Sequence, residues 1–122
     1  MEDLIMAFFS EPSAPPQFVR AVNKTIDSIG VTWNEVPTCD QNGLIVNYTV
    51  SYHSVTPGYT VEVKSTIASS RFANLTNLTR NTNYSNTVMA SNQIGNGPPS
   101  SPTVVTTSNG SKFFFLHIPQ GN

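Results

Sequence analysis

Leu75-Thr76-Asn77-Leu78-Thr79-Arg80-Asn81-Thr82-Asn83-Tyr84-Ser85-Asn86-Thr87-Val88-Met89-Ala90-Ser91-Asn92-Gln93-Ile94-Gly95-Asn96-Gly97-Pro98-Pro99-Ser100 is the stretch on which the fold is decided. From Tyr84 the chain alternates, so that Tyr84, Asn86, Val88 and Ala90 share one side of an extended backbone. A period of two is the signature of a half-buried strand. Gly95, Gly97, Pro98 and Pro99 then break it as a turn, for which Gly95 and Gly97 are expected to supply positive φ. Upstream, Leu78, Thr82 and Tyr84 have the spacing of a corner in which a tyrosine ring is buried and its hydroxyl bonds to backbone a few residues earlier.

The same punctuation repeats on both sides. Phe18–Val22 reads as a first edge strand, and Ile29-Gly30-Val31-Thr32-Trp33 places Ile29, Val31 and Trp33 on one face. After a loop over Asn34–Gly43 that ends on the turn pair Asn42-Gly43, Ile45–Tyr52 turns Tyr48, Val50 and Tyr52 inward and Asn47, Thr49 and Ser51 outward. Pro57-Gly58 leads into Tyr59–Lys64, with Tyr59, Val61 and Val63 on one face, and Phe72–Leu75 is a further short strand. Tyr84–Asn92 and Pro102–Thr107 close the series. Seven short strands between turn signals, with no helical periodicity, predict an all-β sandwich.

Composition agrees. A length of 122 residues predicts one domain with one modest core. Charged residues are 11% of the chain, well under the usual quarter, and Ser, Thr and Asn take their place on the polar side. The net charge is −1 and the basic residues Arg20, Lys24, Lys64, Arg71, Arg80 and Lys112 are scattered, which argues against a nucleic-acid partner. The single cysteine, Cys39, excludes an internal disulfide and reads as an inert loop thiol. The apolar runs Leu4–Phe9 and Phe113–Ile118 are too short to span a bilayer, and the acidic start is unlike a signal peptide, so no membrane insertion by this domain is expected. Both ends read as remnants of a longer protein or edges of an incomplete gene model, with interfacial anchors as the competing reading.

In this order and spacing the residues resemble a fibronectin type III domain over roughly Ser13 to Thr107. Pro15-Pro16 with Val19 and Ala21 resembles the family's opening, Trp33 its core tryptophan, and Asn42-Gly43 with Ile45, Tyr48, Val50 and Tyr52 its third strand. Leu75, Leu78, Thr82, Tyr84, Val88, Ala90 and Asn92, followed by Gly95, Gly97, Pro98 and Ser100, resemble its last hairpin. The resemblance implies a seven-stranded immunoglobulin-like β-sandwich of fibronectin type III topology. Its core would hold Trp33, Tyr48, Val50, Leu75, Leu78, Tyr84, Val88 and Ala90. The implied layout is a linker over 1–12, the domain over 13–107 and a tail over 108–122. Two departures stand out: Arg80 replaces a common proline, and Asn86 turns an amide toward the core.

Six Asn-x-Ser/Thr sequons occur, at Asn23, Asn47, Asn74, Asn77, Asn83 and Asn109. With 13 asparagines and this Ser/Thr content, chance supplies about three, so the excess is about twofold. By strand alternation Asn47 and Asn74 point outward, while Asn23 and Asn109 fall in loop or tail; Asn23 and Asn47 are the first acceptors expected. Catalytic chemistry finds no motif: His53 and His117 are isolated, no metal-spaced cluster or phosphate loop appears, and Glu35 and Asp40 read as solvent-facing loop carboxylates. No catalytic, cofactor or metal residue is expected. In the family, three loops gather at one end of the sandwich, here Asn34–Gly43, Ser65–Ser70 and Gln93–Pro99. Such loops on a rigid scaffold are natural recognition sites, although Gln93-Ile94-Gly95-Asn96-Gly97 lacks the Arg-Gly-Asp by which some members bind integrins. The expected role is an extracellular protein-interaction or spacer module of a cell-surface receptor or adhesion protein, joined to neighbouring domains. The alternatives are an intracellular filament-type module or an accessory domain of a larger enzyme such as a receptor tyrosine phosphatase.

Overall fold

The computed structural model describes residues 10–56, 58 and 60–110. The apolar runs at the two ends, His117 and Tyr59 lie outside the described residues. Seven strands run in chain order: β1 Gln17–Val22, β2 Ile29–Asn34, β3 Ile45–Ser54, β4 Glu62–Ile67, β5 Phe72–Leu75, β6 Asn83–Asn92 and β7 Thr103–Thr106. They form two sheets, β1-β2-β5 and β4-β3-β6-β7, each antiparallel throughout. The chain is an all-β, two-sheet sandwich of fibronectin type III topology.

Alternation builds the core. Ile29, Val31, Val50, Leu75 and Val88 are fully buried, and Trp33, Tyr48, Tyr84 and Ala90 nearly so. The Trp33 and Tyr48 rings meet edge-on, with centroids 5.4 Å apart and planes at 60°. Leu78 packs against this cluster from the β5–β6 connection. There Thr79 N donates to Tyr84 Oη at 2.8 Å, which closes the tyrosine corner around Arg80.

β4 departs from the expected Tyr59–Lys64. Its ladder with β3 begins at Tyr52↔Glu62 and runs to Asn47↔Ile67, so the strand is shifted toward the C-terminus and Ser65–Ile67 belong to it rather than to a loop. Val61 and Val63 are 60% and 65% exposed, because this edge strand covers little of the core. Lys64, paired with Val50 but itself exposed, donates through Nζ to Asn74 O at 3.0 Å, bridging to the other sheet. A lysine on an edge strand opposes edge-to-edge pairing with other chains.

Gly95 and Gly97 serve a different purpose from the one expected. Neither adopts positive φ. A Cβ on Gly97 would stand 2.7 Å from Pro12 Cβ, and one on Gly95 3.2 Å from Glu11 Cγ. The close approach of the lead-in segment, not backbone twist, is what demands glycine at 97, while at 95 it leaves only a tight fit against the Glu11 side chain.

Asn86 is buried with Val88 and Ala90, as its register demands. Its Nδ2 donates to Thr103 O at 3.0 Å, but its Oδ1 is sealed without a partner. An orphaned buried acceptor costs about 1–3 kcal/mol, more than the roughly 1 kcal/mol net of one hydrogen bond. Asn86→Val is therefore expected to stabilise by about 1 kcal/mol, or about 4–8 °C in melting temperature. A drop on thermal unfolding would show that the bond to Thr103 outweighs the orphaned oxygen.

Candidate functional site

Three connections gather at the end of the sandwich where β2 stops and β3 begins: Glu35–Leu44, Ala68–Arg71 and Gln93–Pro102. The middle one is shorter than the Ser65–Ser70 expected, because β4 takes up its first residues.

Asn92 organises this pole. The side chain is 4% exposed, and its Nδ2 donates to Ser10 O at 2.8 Å and to Gln41 O at 3.0 Å, with Asn42 O at 3.3 Å. Its Oδ1 accepts from Ile94 N at 2.9 Å and Gly95 N at 3.2 Å. One amide thus joins the lead-in segment, the β2–β3 loop and the β6–β7 loop. Around it, Asn42 Nδ2 donates to Glu11 O at 2.9 Å and Ser13 N to Asp40 O at 2.8 Å. Ser13 Oγ donates to Asp40 Oδ1 at 2.9 Å, so this carboxylate is engaged rather than simply solvent-facing.

The opposite flank of the pole is tied by Arg71. Arg71 Nη1 meets Glu35 Oε2 at 3.2 Å, while Arg71 O accepts from Trp33 N at 3.2 Å and Thr32 Oγ1 at 2.9 Å. Both side chains of the ion pair are substantially exposed, so its worth lies in loop position more than in stability. Burial raises the Tyr48 phenol above its usual 10.0; Glu35 adds to the rise, and the Arg71 guanidinium opposes it. Leu44 at 80% and Ile94 at 44% exposure present apolar tips to solvent, and Cys39 is an exposed free thiol. The pole therefore offers shape, apolar tips and a few charges on a rigid frame, suited to protein contact rather than bond making. His53 lies half-buried on the outer face of β3, and no group of three or more His, Cys, Asp or Glu able to hold a metal occurs among the described residues.

The sequons scatter differently. Asn23, Asn74, Asn77, Asn83 and Asn109 are exposed. Asn47 faces outward in register but is half-buried, with Oδ1 sealed and unpartnered. Asn83 Oδ1 accepts from Thr106 Oγ1. Asn23 and Asn77 both adopt positive φ, which asparagine tolerates better than most residues. Asn92 belongs to the last-hairpin pattern read from the sequence, but its cross-linking amide was not foreseen; the signal available was an asparagine at the end of a core strand, three residues before a glycine.

Comparison with known proteins places this architecture. The fibronectin type III domain family matches residues 14–106. Receptor-type tyrosine-protein phosphatase F of Danio rerio is 37% identical over 101 residues, covering 81% of this chain and 5% of that protein. Cell adhesion molecule DSCAML1 of Gallus gallus is 33% identical over 97 residues, covering 79% of this chain and 5% of that protein. The chain therefore spans a small fraction of the curated relatives it matches. Among solved structures, a stretch of titin domains superposes with a TM-score of 0.69 at 27% identity, covering 80% of this chain and 32% of that one. Sequence, sheet order and comparison converge: the chain belongs to the fibronectin type III family, whose domain is a non-catalytic module homologous to those of adhesion molecules and receptor phosphatases.

Proposed function

We propose that this chain is an extracellular protein-interaction and spacer module of a larger cell-surface receptor or adhesion protein. The domain would occupy 13–107, with 1–12 and 108–122 as linker and tail. The carrying observation is that a receptor and a cell adhesion molecule match it at 37% and 33% identity through only 5% of their length. The twofold sequon excess supports an extracellular setting. The pole organised by Asn92 supplies the contact surface, and loops on a rigid scaffold are where recognition concentrates. Partner identity would reside in Leu44, Ile94 and the Glu35/Arg71 flank.

A second reading, an intracellular filament-type module, is favoured by the likeness to titin domains. Both readings require a longer parent chain, and the accessory domain of a larger enzyme requires one too. An immunoblot of native material tests this shared requirement. The expected band lies far above the 13.3 kDa of this chain. A native band at that mass would overturn the module reading.

A further inference from the structure

We propose that the groove beside Asn77 seats the first sugar residues of an N-glycan carried by Asn77 itself. The inference rests on the extracellular reading above.

The groove has a volume of about 370 Å³ and lies between the β3–β4 edge and the β5–β6 connection, lined by Tyr52, His53, Glu62, Asn77, Leu78 and Tyr84 among others. That volume falls within the ~300–1,000 Å³ of small-ligand clefts. Its walls suit a pyranose. The half-buried Tyr52 and Leu78 offer surface to the apolar face of the ring, and the Glu62 carboxylate with the neighbouring hydroxyls suits sugar hydroxyls and the acetamido group. Burial raises the Tyr52 pKa above the usual 10.0, with Glu62 next in effect and then Tyr84; like any tyrosine phenol at neutral pH it is protonated and able to donate.

The occupant follows from connectivity. Asn77 belongs to the sequon Asn77-Leu78-Thr79 and itself lines the groove. It is exposed, in a left-handed backbone conformation at φ 59°, and its amide has no hydrogen-bond partner among the described residues. A sugar joined to Nδ2 thus starts at the groove, and tethering raises its effective concentration there without further affinity. Among the described residues, no other sequon asparagine lines this groove. Asn47 has its Oδ1 sealed, Asn83 holds the Thr106 hydroxyl, and the hollow at Asn23 is formed by Ala21, Val22 and Lys24 with no aromatic wall. The covalent step is ordinary glycosyl transfer. Asn77 Nδ2 attacks C1 of the reducing sugar of a lipid-pyrophosphate oligosaccharide and loses one proton. The Nδ2–C1 bond forms as the C1–O bond to pyrophosphate breaks, and nothing is oxidised or reduced.

Thr79 carries the test: only its backbone enters the tyrosine corner, and since it also lines the groove, the unglycosylated bacterial proteins report any effect of its side chain alone. Thr79→Ala removes the sequon and Thr79→Ser keeps it. The whole chain and both variants are secreted from animal cells and also made in bacteria. Glycopeptide mass spectrometry then reads occupancy, thermal unfolding reads stability, and NMR reads Tyr52 and Leu78. We expect Asn77 to be occupied, and Thr79→Ala to lower the melting temperature by about 4 °C relative to Thr79→Ser only in the secreted proteins. Tyr52 and Leu78 signals should shift with the glycan. An empty Asn77 beside other occupied sequons would overturn the proposal and leave the extracellular reading intact. So would an occupied Asn77 with neither effect. Saturable binding of free N-acetylglucosamine disaccharide to the bacterial protein, without occupancy of Asn77, would assign the groove to a free saccharide and overturn the attached one.

Discussion

Trp33→Ala is expected to lower the stability of this sandwich by about 3–5 kcal/mol. Total stability of a small domain is about 5–15 kcal/mol, so the variant should stand near the edge of folding. The indole fills the space between the sheets beside the fully buried Ile29, Val31, Val50 and Val88, and its ring is the edge-on partner of Tyr48. Truncation leaves a cavity that two hydrogen-bonded sheets cannot collapse to fill. Trp33→Phe separates ring from polar group. Trp33 Nε1 is buried with no partner, so phenylalanine loses volume but also removes an unsatisfied donor. Its loss should stay under about 1.5 kcal/mol. Denaturant titration measures both through the shift in midpoint at constant slope. A loss below about 1 kcal/mol for Trp33→Ala would mean that the two sheets do not pack around this side chain.

Asn92→Ala should be nearly as costly, at about 2–4 kcal/mol, for a reason unrelated to volume. It strips partners from Ile94 N, Gly95 N, Ser10 O and Gln41 O together, and unsatisfied buried polar groups cost about 1–3 kcal/mol each before water reaches some of them. Asn92→Asp should be no better at neutral pH, because it keeps the acceptor but faces a carboxylate toward the carbonyls of Ser10, Gln41 and Asn42. The effect should also be local. Hydrogen exchange should accelerate at the amides of Ile94, Gly95 and Ser13 well before β3 and β6 respond. A variant with wild-type stability and unchanged exchange at those amides would show that the pole is held by other contacts. Loosening this pole should also release the lead-in segment, whose Pro12 and Glu11 pack close against Gly97 and Gly95.

Most of the sandwich was legible because alternation reports a strand with one dry face. Ile29, Val31 and Trp33, and Tyr84, Val88 and Ala90, announce the core directly. β4 gave a misleading signal for the same reason. Five of its six residues are exposed, so no dry face exists to set its limits, and the shared face of Val61 and Val63 placed the strand too early in the chain. Gly95 and Gly97 were visible as glycines, but the chain that crowds them comes from residues about 85 positions earlier, beyond any local pattern. Asn92 was hidden likewise, since its partner Ser10 lies 82 positions away. The groove at Asn77 combines three separate parts of the chain, and only its sequon could be read from sequence.

The most direct test of the extracellular reading is an immunoblot of native source tissue before and after enzymatic removal of N-glycans. The expected result is a band far above the 13.3 kDa of this chain that moves down on treatment. A large band that does not move would contradict it and leave the filament-type reading in its place.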